Sequence, residues 1–102
     1  NRLLTPAQRA AAICVPRSLA AARAAATAAT GAEPDDVVAA AADIIDGEPS
    51  AEREYITVFD ARTLTEIERF DASDRLPGAV RIATAVWFGD VRLIDNCDLF
   101  GD

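Results

Sequence analysis

Side chains able to do covalent or acid–base chemistry are few in this chain, and the arginines and carboxylates are what is left to consider. The sequence has no histidine, which removes imidazole acid–base chemistry and most catalytic triads. All 10 basic residues are arginine, so there is no lysine for a Schiff base or a phosphate loop. The 5 glycines are scattered at turns and ends and do not form a phosphate cradle. Cys14 and Cys97 stand far apart, with no CxxC pair and no histidine to complete a zinc site. Each reads as a small buried thiol, although counting alone leaves a disulfide between them open.

The carboxylates have structural explanations that compete well with catalytic ones. Asp35 and Asp36 follow Pro34 and place negative charge on the positive end of a helix dipole. Glu66 and Glu68 lie two apart on a segment read as a short helical turn, where they do not share a face. Asp95 and Asn96 follow an apolar run and read as a capped strand end, since such side chains bond their own backbone. Arg81 and Arg92 could hold an anion, but ion pairing with nearby acids is the simpler expectation. No catalytic, cofactor-binding or metal-ligating residue is therefore assigned on this chain.

The elements that carry these residues can be read from local signals. Thr5, Pro6 and Gln8 give an N-cap, a first-turn proline and the amide of a capping box, so a helix starts near residue 6. Helical composition continues over 10–15 and 19–29, with a kink or break at Pro16, and Gly31 is the predicted C-terminal cap. A second helix opens at Pro34, its apolar stripe formed by Val37, Val38, Ala41, Ile44 and Ile45, and a polar loop over 46–50 ends it. Residues 55–60 alternate as a strand, Asp60 is expected to cap a helical turn over 61–67, and 71–77 reads as a loop.

Residues 79–96, AVRIATAVWFGDVRLIDN, are two apolar runs joined at Gly89 and Asp90. A glycine at the first of two central positions predicts a type II′ hairpin turn. Along the first run Val80, Ile82, Thr84, Val86 and Phe88 alternate with Ala79, Arg81, Ala83, Ala85 and Trp87. The sparse charge predicts that both faces are partly covered, with Ala-rich helices seated on the alanine side. The resulting expectation is one α+β domain over 1–102: a small three-stranded, mainly antiparallel sheet packed by two longer helices and a short helical turn.

A net charge of −7 opposes nucleic acid and anionic membrane as partners. With neither a signal peptide nor a long enough apolar run, the expected location is cytoplasmic.

Residues 1–12, NRLLTPAQRAAA, together with AVWFGDVRLIDN, resemble the C-terminal domain of the pantothenate synthetase (pantoate–beta-alanine ligase) family. Leu4, Thr5 and Arg9 match its helix start, the Gly-Asp turn with Leu-Ile-Asp-Asn is similar to its terminal hairpin, and YITVFDARTL resembles a further strand. Leu3, Gln8 and the 71–77 loop depart from that pattern without touching chemistry. The resemblance implies a parent ligase acting in coenzyme A biosynthesis, which uses ATP with Mg to form pantoyl adenylate from pantoate and then passes the acyl group to beta-alanine. It also implies an N-terminal nucleotide-binding domain as partner and a homodimeric parent. In the family a Met-Ser-Ser-Arg segment that helps hold the nucleotide phosphates precedes the position of Asn1. This chain would then be the lid, inactive alone. Two alternatives stand beside it: a free-standing acidic interaction module with the same fold, and a small anion-binding domain using Arg81 and Arg92.

Overall fold

The computed structural model describes residues 4–28 and 31–101. In chain order the elements are α1 (Pro6–Ala11), α2 (Cys14–Ala28), α3 (Pro34–Asp46), β1 (Glu52–Asp60), a 3-10 turn (Ser73–Arg75), β2 (Val80–Phe88) and β3 (Val91–Asp98). Asn1 and Leu3, where the family resemblance opens, and Ala29, within the expected first helical region, lie outside the described residues.

The first helix starts as its sequence dictates. Thr5 Oγ1 accepts the Gln8 N–H at 3.1 Å, and Gln8 Oε1 accepts the Thr5 N–H at 3.0 Å, a complete capping box ahead of Pro6. The break comes at residues 12 and 13, before Pro16, which therefore sits in the first turn of α2, where its missing N–H has no partner to lose. Gly31 has φ +87°, in the left-handed region; the residues linking it to α2 lie outside the described ones. At the start of α3 the Asp36 carboxylate accepts the Glu33 N–H at 2.9 Å.

The sheet is antiparallel throughout with order β1-β2-β3, so β2 is central. Gly89 has φ +66°, and Leu64 alone among the described non-glycine residues has a positive φ, so Asp90 does not. That combination fits the type II′ turn. The Gln8 amide also donates to the Phe88 carbonyl at 3.1 Å, tying α1 to the hairpin just before this turn.

Helices cover one face only. Val80, Ile82, Thr84, Val86 and Phe88 are all buried on that inner face. The helices do not sit on the alanine side, as the residue sizes had predicted, but on the β-branched side. Ala22 and Ala26 of α2 and Ala41 of α3 pack with Val37, Val58 and Ile82 in one cluster; Cys14, Val15, Ile45, Val86 and Phe88 form a second. The small helical residues let α2 and α3 approach one another while larger β-branched side chains fill the layer below. Among the described residues no helix or strand packs over the opposite face, and Ile94 there is 55% exposed. The expected two-sided cover is thus not present in this domain.

The helical turn expected over 61–67 is also absent. Asp60 Oδ1 does accept the Arg62 and Thr63 N–H groups at 2.8 and 2.9 Å, as an N-cap would, but the chain then turns back. Leu64, at φ 63°, donates to the Asp60 carbonyl, and Glu66 forms a bridge with Phe59. An Asx turn leading into an extended return replaces the helix.

Candidate functional site

Several of the polar groups singled out by type are held by a nearby partner. Arg92 forms a bidentate pair with Glu54, at 2.7 and 2.9 Å, and the Trp87 indole N–H donates to the same carboxylate at 2.8 Å. The backbone makes this clamp possible: pairing between β1 and β2 slips between Arg53 and Tyr55, leaving Glu54 as the extra residue of a bulge. The Arg92 guanidinium, with the Trp87 N–H, holds the Glu54 carboxyl below the usual range. Arg81 reaches Asp98 and Asn96 across the β2–β3 pair. Arg53 is bidentate to Asp46 at 3.0 and 2.9 Å and lowers that carboxyl. Ion pairing was the expectation for Arg81 and Arg92, and both guanidinium groups are paired with a carboxylate.

Asp95 and Asn96 are not beyond the last strand; both lie within β3, which runs to Asp98. Asp95 Oδ1 accepts the Asn96 N–H at 2.8 Å, satisfying a backbone donor locally on an edge strand. Glu66 and Glu68 stand on the extended return and share a shallow cleft of about 390 Å³ with Pro34, Asp35 and Val58. Arg69 lines the same cleft, and among the described residues no group of three or more His, Cys, Asp or Glu is placed to hold a metal ion. Cys14 is buried and Cys97 half-buried; both are free thiols, and burial pushes each upward. Every buried side-chain N or O among the described residues has a hydrogen-bond partner, such as Thr84 Oγ1 on the Tyr55 carbonyl at 2.9 Å.

Among the described residues, the candidate polar groups are spread over the sheet face, the β3 edge and the cleft beside Pro34. The domain's features are a two-layer scaffold and one open sheet face. That face carries a depression of about 370 Å³ lined by Tyr55, Thr57, Phe59, Leu64, Glu66 and Ala83. The Glu54 clamp closes one end of the face, and the Arg81–Asp98 pair lies at the other. Reading by residue type alone missed this site, because its side chains are ordinary strand residues. The signal for it lay in the low charge on both faces of the 79–96 hairpin.

The sequence matches the family described as pantoate-beta-alanine ligase over residues 1–98. It is similar to a pantothenate synthetase from Akkermansia muciniphila, 37% identical over 99 residues, covering 97% of this chain and 32% of that protein. A pantothenate synthetase from Citrifermentans bemidjiense is 39% identical over 106 residues, covering 100% of this chain and 34% of that protein. The fold matches the crystal structure of pantothenate synthetase from Thermus thermophilus with TM-score 0.83 at 25% identity, over 99% of this chain and 34% of that one. The chain thus spans about a third of the length of these relatives.

Proposed function

The chain belongs to the pantoate-beta-alanine ligase family, and on that premise we propose that it is the C-terminal lid domain of a longer ATP-dependent ligase that makes pantothenate. In that reaction the pantoate carboxylate attacks the α-phosphorus of ATP, releasing pyrophosphate and forming pantoyl adenylate. The beta-alanine amine then attacks the acyl carbon and AMP leaves. The product feeds coenzyme A biosynthesis, and the parent is proposed to be a cytoplasmic homodimer. ATP and its magnesium are assigned to a nucleotide-binding domain preceding this one.

The supporting observation is a whole-chain match that covers only a third of each relative, joined to strand arginines, Arg53, Arg81 and Arg92, that are each paired with a carboxylate. A triphosphate needs a cradle of free donors, and Arg53, Arg81 and Arg92 each already hold a carboxylate. No acid cluster is positioned for magnesium among the described residues. No chemical step is routed through Arg53, Arg81 or Arg92.

A lid contributes by excluding water. An acyl adenylate is a mixed anhydride that water destroys, so a rigid cover over it favours transfer to the amine over hydrolysis. The purified 102-residue chain is expected to form no pantothenate from ATP, pantoate and beta-alanine. Turnover by this chain alone, above the level of a mock preparation, would refute the assignment.

A further inference from the structure

The open face of the sheet has features that set it apart from an ordinary solvated surface. The pairing register places Tyr55, Ala85 and Ile94 in one row and Thr57, Ala83 and Asn96 in the next, with Phe59 beyond. Leu64 projects beside this strip and is 71% exposed. Its backbone has φ 63°, a conformation that costs a leucine about 1 kcal/mol. The Asp60 carboxylate and carbonyl hold the turn in place by accepting the N–H groups of Arg62, Thr63 and Leu64. A strained residue that also leaves a large apolar side chain in water carries two local costs at one position, and strain of this kind concentrates where a surface is used.

The size and charge of the face select its occupant. Strands about 4.8 Å apart and alternate residues about 6.8 Å apart give three strands by four rows an area of roughly 400 Å². A stable complex between separate proteins needs about 800 Å² per partner. An interface between domains of one chain buries about 600–1,500 Å² in total, or about 300–750 Å² per side. The face fits the second class, where the covalent link supplies the effective concentration that a small area lacks. A second copy would also bring together two chains of net charge −7. On the face itself Glu54 with Arg92 and Asp98 with Arg81 cancel in pairs, and Glu52 and Glu66 at its margin leave it negative, so it suits an apolar surface with a basic rim.

We propose that this strip, centred on Tyr55, Phe59, Leu64 and Ile94, is the docking surface for the remainder of the parent protein, and that Leu64 is its preformed anchor. The proposal rests on the reading of this chain as one domain of a longer ligase. It assigns the helical layer to the outside of the assembly and the sheet to the inside. The low charge on both faces of the hairpin is then explained: one face is covered by α2 and α3, the other by the neighbouring domain.

The test is site-specific labelling, which reads contact independently of activity. With the native thiols removed as Cys14→Ala and Cys97→Ser, single cysteines are introduced as Ile94→Cys and Leu64→Cys on the face, and as Ala24→Cys on the exposed side of α2 as the control. Maleimide reaction rates are compared between the 102-residue chain and the full-length parent, with ATP and pantoate present. Rates at positions 94 and 64 are expected to fall at least tenfold in the parent, while position 24 changes less than twofold. Equal rates at position 94 in the two proteins would overturn the proposal. So would a fall at position 94 that appears in the short chain alone as its concentration rises, since that identifies a second copy as the occupant. Pantothenate formation by the parent is measured separately: its absence would refute the ligase reading and leave the labelling result intact.

Discussion

Replacing Phe88 by alanine is predicted to cost far more than replacing Ile94, although both belong to the same hairpin. Phe88 is 0% exposed and packs against Leu4, Val15, Ile45 and Val86, whereas Ile94 is 55% exposed on the open face. Phe-to-Ala truncation in a core removes about 3–5 kcal/mol, from lost transfer energy and the cavity left behind. A domain of this size has roughly 5–15 kcal/mol in all, so the loss is a large fraction of it. With a urea dependence of about 2 kcal/mol per molar, the midpoint falls by roughly 1.5–2.5 M. Ile94→Ala is expected to cost less than about 1 kcal/mol, because little of its surface leaves water on folding. Equilibrium urea unfolding of the 102-residue chain, followed by circular dichroism, gives both numbers. Similar midpoint shifts for the two variants would refute the one-sided packing of the sheet.

Three further outcomes follow from specific contacts. Gly89→Ala places a Cβ 2.9 Å from the Gln8 amide at a φ of +66°, and thermal unfolding is expected to report a loss of about 1–3 kcal/mol. Leu64→Asn relieves both costs at that turn, since asparagine tolerates the left-handed region; calorimetry is expected to show the short chain stabilised by about 0.5–1 kcal/mol. Acidification should weaken the fold: Glu54, Asp46, Asp60 and Asp71 are all lowered by hydrogen-bond donors in the folded state. Their contribution is therefore complete above the unfolded carboxyl range, near pH 4–4.5, and is lost as pH falls through the lower folded values. Melting temperatures recorded from about pH 6 to pH 3 should drop below that range, and less steeply for Glu54→Gln; identical profiles for the two proteins would contradict the Glu54 clamp.

What could be read from the sequence was local. The Thr5–Gln8 box, the Pro34 start and the Gly89 turn each depend on bonds within a few residues, and each formed where expected. Asp60 misled because an Asx turn and a helix N-cap use the same side-chain acceptor for the same backbone donors. Only the positive φ of Leu64 and the pairing of Glu66 with Phe59 separate the two, and the latter is a tertiary contact. Asp95 and Asn96 looked like the end of a strand because they are polar, yet β3 is an edge strand whose residues are partly exposed, where polar side chains fit. The covered face was misjudged because alanine-to-alanine packing was expected between helix and sheet, while the structure uses it between α2 and α3. The Glu54 clamp depends on a bulge, and nothing in the residue order announces a bulge.

The central claim, that residues 1–102 act as the cover of a larger ligase, is tested most directly by removing them from the parent. Pantothenate formation from ATP, pantoate and beta-alanine is measured for the full-length parent and for the same protein lacking this domain. The truncated enzyme is expected to lose at least about a hundredfold in rate, in line with the contribution of substrate positioning and water exclusion. Retention of the parent's rate without residues 1–102 would contradict the account.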